Sequence, residues 1–443
     1  MSKKIILSCI LIATATAGTF AQAFNKPKMD SLMNAISSNN KGMGSVAIMK
    51  GGKLLYTRAI GYKDINGDNK LAADYATKYR IGSISKVFTS VMIFQLIEEH
   101  KLTLDTKLST FYPKVPNAKL ITISDMLSHR SGIYNFTNNS EYLLWNATPH
   151  TKEQMLDIII KGGSVFKPGT KADYSNSNFV LLGYIIEKLT AHTYKEELAT
   201  RITSKIGLNN TYFGTKADPA KNEAHSYVMN TKWEQESETD MSIPGGAGAI
   251  VSTPSDLDLF ITSLFGGKLL SKKSLDEMTT IKDDYGRGIF QVPFGTKKGY
   301  GHTGGIDGFS SSLGYFPDDS LAVAYIGNGQ VIPVNDIVIG ALSIYYNVPY
   351  KVPTFKTFDV AEATLKQYAG VYTSAQLPLK ITITLKGKTL YAQATGQNEF
   401  PLDATNETTF EFAQAGIVMV FNAATNSMQL KQGGGAYDFT KGK

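Results

Sequence analysis

Between Gly44 and Tyr62 the apolar positions Val46, Ile48, Leu54, Tyr56 and Ile60 fall into two short β-favouring runs on either side of Gly51-Gly52. Two such runs broken by paired glycines predict a hairpin, and so a sheet that begins early. The pattern then changes. Ser85 to His100 is apolar nearly all round, Ser124 to Leu127 opens another helical run, and Phe179 to Leu189 reads the same way. An α-rich block is therefore expected between sheet segments. Strands return at Ser310–Tyr315 and Leu321–Ile326 around the turn Pro317-Asp318-Asp319, followed by an amphipathic run from Val334 to Tyr346. These late strands are expected to complete the first sheet.

Pro349 and Pro353 bracket a stretch without clear periodicity, which reads as a linker and puts a domain boundary near residue 355. Beyond Tyr368 the chain alternates short runs such as Ile381–Leu385, Leu390–Ala392 and Ile417–Phe421 with Gly, Asn and Asp turns. That rhythm predicts a small all-β, barrel-like module over residues 356–443. Two domains suit the chain length of 443 residues. No internal repeat or low-complexity tract is present, and Gly433-Gly434-Gly435 reads as a turn.

Composition narrows the functional classes. Hydrophobic residues make up 42% and charged ones 19%, so the chain can bury a large core. The formal charge of +7 is mild for this length, and no Lys/Arg run forms a nucleic-acid or polybasic membrane patch. At the N-terminus, Lys3-Lys4, an apolar stretch from Ile5 to about Ala17 and Ala21-Gln22-Ala23 have the order of a secretory signal. Residues 1–23 are accordingly expected to be removed and the mature chain to start near Phe24, with the periplasm as its address. Cys9, the only cysteine, has too short an apolar run before it to be a good lipoprotein acceptor. The expected mature chain therefore has no disulfide, thiolate nucleophile or cysteine metal site. Nor does it have an apolar run of the ~20 residues that span a bilayer. The six histidines are scattered without His-x-x-x-His spacing, and no Rossmann or P-loop glycine pattern occurs, so no metal or cofactor is expected.

The chemistry begins at Ser83-Ile84-Ser85-Lys86. Ser-x-x-Lys also occurs at Ser38…Lys41 and Ser164…Lys167, but the former lies in a polar Ser/Asn stretch and the latter runs into Pro168-Gly169. Only Ser83 opens a long apolar helix. Residues three apart share a helix face, so Lys86 would lie beside the Ser83 hydroxyl, near the positive end of the helix dipole. A partly desolvated lysine has a lowered pKa and suits proton traffic with serine. The bland alternative is Ser83 as an N-cap and Lys86 as a snorkelling cation. Two further segments weigh against it. Tyr174-Ser175-Asn176 lies just ahead of a predicted helix, and Gly301-His302-Thr303-Gly304-Gly305 precedes a predicted strand, where small residues let a substrate lie against a sheet edge.

In this order, Ser83-x-x-Lys86, Tyr174-x-Asn176 and His302-Thr303-Gly304 resemble the three motifs of the class C β-lactamase and DD-peptidase superfamily. Ile123–Gly132, Pro244–Gly248 and Ser252–Asp256 are similar to other stretches of it, and the likeness covers about residues 24–350. It implies an α+β fold, with an antiparallel sheet flanked by helices and an α-rich subdomain. The resemblance assigns Ser83 as acylated nucleophile and Lys86 with Tyr174 as proton carriers. Asn176 would contact the substrate and hold Lys86, and His302, Thr303, Gly304 and Gly305 would line the substrate and oxyanion site, with the N–H groups of Ser83 and Gly305 as the oxyanion pair. His129 is left outside the site as structural.

Many members carry lysine where this chain has His302, and a largely neutral imidazole binds carboxylates less well. That moves weight from β-lactams toward D-aminopeptidase-like and esterase-like substrates. The expected function is an exported serine hydrolase acting on amide or ester bonds of D-amino-acid peptides, cell-wall-derived ones included, or of small esters. A class C-type β-lactamase and an inactive peptidoglycan-binding protein are the alternatives. An oligomer is compatible with the sequence. Tyr368-x-Gly370-x-Tyr372 and the strand rhythm make the C-terminal module resemble small lipocalin-like domains.

Overall fold

The computed structural model describes residues 24–442 apart from 356–357, 398 and 413–414. The expected signal segment and Cys9 lie outside the described residues. An antiparallel sheet forms the centre of the first unit. Its long strands are β1 (Gly42–Lys50), β2 (Lys53–Ile60), β3 (Tyr300–Ile306), β4 (Phe309–Phe316) and β5 (Leu321–Gln330), in the spatial order β3-β4-β5-β1-β2, and the short strands Tyr227–Met229 and Trp233–Gln235 join it beside β5. A two-residue strand, Phe290–Gln291, pairs outside β3. The expected hairpin is β1–β2. Its turn residues Gly51 and Gly52 have φ of +54° and +77°, which glycine adopts without a Cβ clash. The segment Gly301–Gly305, expected to precede a strand, is itself inside β3, because its backbone pairs with β4 from Tyr300 to Ile306.

Period-two alternation gives the sheet two apolar faces. Val46, Ile48, Val323 and Tyr325 pack with the terminal helices α1 (Lys26–Ser38) and α5 (Val334–Tyr345). Met49, Ala322, Ala324 and Ile326 point the other way, into the larger core. That core is built around α2 (Ser85–Glu98), α3 (Asn176–Thr190) and α4 (Pro254–Phe265). Every residue of α2 from Ser85 to Leu96 is buried. A helix apolar all round is the kind that runs through an interior. The Phe88 ring stacks on Phe260 of α4 at 3.7 Å between centroids.

Eight antiparallel strands between Gly370 and Lys441 close into a barrel in sequence order. Closure leaves no free sheet edge. Ile383, Leu390, Phe410, Met419, Phe421 and Phe439 are among the residues that fill its interior. Tyr372, the second aromatic of the Tyr-x-Gly-x-Tyr segment, donates its hydroxyl to the Tyr368 carbonyl at 3.0 Å. Among the described residues, no helix is long and apolar enough to cross a membrane.

Candidate active site

Ser83 is the middle residue of a 3₁₀ turn, Gly82–Ile84, that runs directly into α2. In such a turn residues i and i+3 eclipse, so Lys86 comes to lie beside Ser83. Gly82 has φ +51°, and a Cβ there would lie 2.8 Å from the Gly305 carbonyl oxygen. Only glycine lets the turn approach β3 this closely. The Ile81 N–H donates to the Ile250 carbonyl at 3.0 Å, and Ser311 Oγ donates to the Ile81 carbonyl at 2.9 Å. The turn that carries Ser83 is thus tied both to the sheet and to the segment after Gly248.

Lys86 is fully buried, and its Nζ meets three oxygens: Ser83 Oγ at 2.9 Å, Asn176 Oδ1 at 2.7 Å and the Ala247 carbonyl at 2.8 Å. Burial holds its pKa well below the usual 10.5. A neutral amine has two N–H donors and one lone pair. The Asn176 and Ala247 oxygens are acceptors only, so in the neutral form they would take both donors and leave the lone pair for the Ser83 hydroxyl.

Tyr174 donates its hydroxyl to Ser83 Oγ at 2.7 Å from the opposite side. Desolvation pushes its pKa above the usual 10.0, which keeps it a phenol. The His129 ring stacks on Tyr174 at 4.3 Å between centroids, and His129 Nδ1 accepts the Ser175 N–H at 3.1 Å. His129 therefore positions the tyrosine, although its side chain does not touch Ser83. Its sequence context gave no sign of this, because the stacking partner lies 45 residues along the chain. Asn176 opens α3. Its N–H donates to Asn135 Oδ1 at 3.0 Å and its Nδ2 to Thr137 Oγ1 at 3.1 Å, which fixes the amide with its oxygen toward Lys86. Asn135, Thr137 and the Ala247 carbonyl are contributors that the motifs alone did not reveal, although Pro244–Gly248 had been singled out.

The third motif lies against the turn that carries Ser83. A Cβ on Gly304 would fall 2.1 Å from the Ile81 oxygen and 3.0 Å from the Ser83 nitrogen, so strand and turn are in contact there. Gly305 borders the same cavity as Ser83 and Asn176, a hollow of about 420 Å³. Thr303 sits on β3 opposite Ser312 of β4 and is not among the residues that border this hollow. His302 is 1% exposed, and its ring stacks on Phe290 at 4.2 Å. Nδ1 donates to the Thr303 carbonyl at 2.5 Å, while Nε2 has no partner among the described residues. Desolvation by burial lowers its pKa to about 3, so the imidazole is neutral at physiological pH. Among the described residues, no group of three or more His, Cys, Asp or Glu side chains is placed to hold a metal ion.

The fold recurs in known proteins. The sequence profile of the beta-lactamase family matches residues 32–339. A teichoic acid D-alanine hydrolase of Staphylococcus aureus is 30% identical over 264 residues, which cover 56% of this chain and 62% of that protein. The chain thus spans less than two thirds of that relative's length. Penicillin-binding protein 4* of Bacillus subtilis is 26% identical over 430 residues, covering 87% of this chain and 91% of its own. The crystal structure of D-amino acid amidase from Ochrobactrum anthropi SV3 aligns with a TM-score of 0.63 at 25% identity, over 72% of this chain and 99% of the amidase. An octameric penicillin-binding protein homologue from Pyrococcus abyssi shares the fold over 94% of this chain and 99% of its own, with a TM-score of 0.65 at 24% identity. With the profile matched over most of its length and the same architecture in both solved relatives, the chain belongs to the beta-lactamase family of serine hydrolases.

Proposed function

We propose that this protein hydrolyses amide or ester bonds of D-amino-acid compounds through an acyl-enzyme on Ser83. The observation that carries the reading is Ser83 Oγ held between Lys86 Nζ at 2.9 Å and Tyr174 Oη at 2.7 Å, with the lysine buried. Lys86, as a neutral amine, takes the Ser83 proton while Oγ attacks the substrate carbonyl carbon. The charge that develops on the carbonyl oxygen is met by the backbone N–H groups of Ser83 and Gly305. Tyr174 passes its proton to the departing nitrogen or oxygen, and protonated Lys86 gives up its proton to the tyrosinate, so that both groups end neutral. The carbon to leaving-group bond breaks, and the acyl group stays on Ser83. Water then attacks the ester, its proton following the same route in reverse, and free acid leaves.

His302 supports an amidase or esterase reading over one that grips a substrate carboxylate. It is neutral and buried against Phe290, so it supplies no positive charge to hold a carboxylate. The names of the relatives point the same way: a D-alanine hydrolase acting on teichoic acid and a D-amino acid amidase. The order of basic, apolar and Ala-x-Ala segments in residues 1–23 supports export to the compartment where cell-wall substrates occur. The test is hydrolysis of p-nitrophenyl acetate by the wild type and by Ser83→Ala. Turnover that disappears in a variant with an unchanged melting temperature supports the reading. Turnover that persists refutes it.

A further inference from the structure

The hollow in front of Ser83 has two unlike walls. Phe136, Tyr142 and Leu143 form an apolar one, whereas Glu236, Ser237, Thr239 and Asp307 form an acidic and hydroxylated one. Among the described residues, no Lys, Arg or His borders this hollow. The two carboxylates are not equivalent. Asp307 is paired: Arg80 donates to it at 2.8 Å, and it accepts the Thr239 N–H at 3.0 Å and Thr239 Oγ1–H at 2.7 Å. Arg80 is also committed to Glu238, at 2.5 Å. Glu236 differs. Its backbone N–H is anchored on the Ser226 carbonyl at 2.9 Å, and among the described residues its carboxylate has neither an ion pair nor a side-chain hydrogen bond. A second hollow of about 590 Å³ adjoins the first and shares Glu236, Ser237 and Thr239 with it, so Glu236 stands where the two meet; Arg80, Lys216 and Glu238 border the second hollow only.

A lone carboxylate in a cleft with low-dielectric walls repels anions and concentrates cations. A substrate whose carbonyl is fixed by Ser83 and Gly305 extends its acyl part into this hollow. We propose that Glu236 is a specificity residue that binds a free ammonium group on the acyl part of the substrate, so that the enzyme selects aminoacyl esters and amides over their N-acylated counterparts. The apolar wall then receives the aminoacyl side chain. This inference rests on the Ser83 acyl-enzyme reading and goes beyond it by naming the charge of the substrate.

The experiment compares D-alanine ethyl ester with N-acetyl-D-alanine ethyl ester, with release of the free acid followed by chromatography. Both are run on the wild type and on Glu236→Gln, which keeps the side-chain shape. The ammonium group itself activates the ester chemically, but that factor is common to both proteins and cancels when their selectivity ratios are compared. The ratio of kcat/KM values for free amine over N-acetyl is expected to fall about tenfold or more in Glu236→Gln, the size of one lost charged contact. The wild-type preference is also expected to fade above about pH 8, where the α-amino group loses its proton. The pH-dependent fall is expected to be smaller in Glu236→Gln, where only the chemical activation remains, and an equal fall in both proteins would overturn the inference. An equal ratio in both proteins, or a wild type that cleaves p-nitrophenyl acetate but does not favour the free amine, overturns the inference and leaves the serine-hydrolase reading standing. A wild type that cleaves none of these esters refutes that reading and this inference with it.

Discussion

Replacing Lys86 by methionine tests the proposed proton route at its most informative atom. Methionine has a similar length and no branch, so it can follow the same buried path, and it carries neither proton donor nor basic lone pair. The wild-type Nζ reaches Ser83 Oγ, Asn176 Oδ1 and the Ala247 carbonyl at 2.9, 2.7 and 2.8 Å. The variant loses all three contacts. Two buried acceptors are left without a donor, at about 1–3 kcal/mol each. Against that stands relief from desolvating an amine, which is of similar size for a fully buried lysine. The net change in folding stability is therefore expected to be within about 2 kcal/mol. The catalytic loss is not offset in this way. General-base catalysis contributes about 10²–10⁴-fold, which corresponds to about 3–5 kcal/mol of barrier. The kcat/KM of Lys86→Met for p-nitrophenyl acetate is expected to drop by at least about 10². Stopped-flow release of p-nitrophenol isolates acylation, and a thermal melt checks the fold. A folded variant within tenfold of wild type would refute Lys86 as the base and move that role to another group.

Three other outcomes follow from particular residues. Because Lys86 must be neutral to accept a proton and its pKa lies well below 10.5, kcat/KM for a neutral ester should rise through an acid limb far below pH 10.5. The loss on the alkaline side should fall above pH 10, because Tyr174 must keep its proton and burial raises its pKa; an acid limb near 10.5 contradicts this. Asp258 is fully buried with neither carboxyl oxygen partnered among the described residues, and its pKa is pushed well above 3.8. The folded protein then keeps a proton that the unfolded chain releases above about pH 4, so this group lowers stability as pH rises toward its native pKa. The melting temperature of Asp258→Asn relative to wild type should therefore shift in the variant's favour between pH 4 and pH 7, and a constant gap would show that the carboxyl is not protonated. Gly304→Ala puts a Cβ 2.1 Å from the Ile81 backbone oxygen, whereas in Gly305→Ala the nearest such atom is 3.9 Å away. The first should lower stability by about 3 kcal/mol and the second by far less, measured by denaturant unfolding; similar losses at both positions would contradict the close packing of β3 on the nucleophile turn.

Much of this was legible because local patterns and tertiary structure agree. The hairpin from Gly44 to Tyr62 corresponds to β1 and β2, and the all-round apolar run after Ser83 is the buried α2. The C-terminal strand rhythm is a closed barrel. Ser83 could be told from two other Ser-x-x-Lys segments because only it opens an apolar helix. The third motif was harder to read. A stretch of small residues with three glycines has the composition of a turn, yet Gly301–Gly305 lies inside a strand, where glycines allow close approach to the Ile81–Ser83 backbone and to β4. The fourth contact of the site network, the Ala247 carbonyl, carries no side-chain signature at all. His129 and Glu236 were also out of reach, since one acts by stacking on a distant tyrosine and the other by what its surroundings lack.

The central claim is that the substrate carbonyl becomes covalently attached to Ser83. The direct measurement is intact-protein mass after brief exposure to p-nitrophenyl acetate and an acid quench, followed by peptide mapping of any adduct. The wild type is expected to gain the mass of one acetyl group, on the peptide that contains Ser83, and Ser83→Ala is expected to gain none. An adduct on another residue, or rapid hydrolysis with no adduct at any quench time and full activity in Ser83→Ala, would contradict the account.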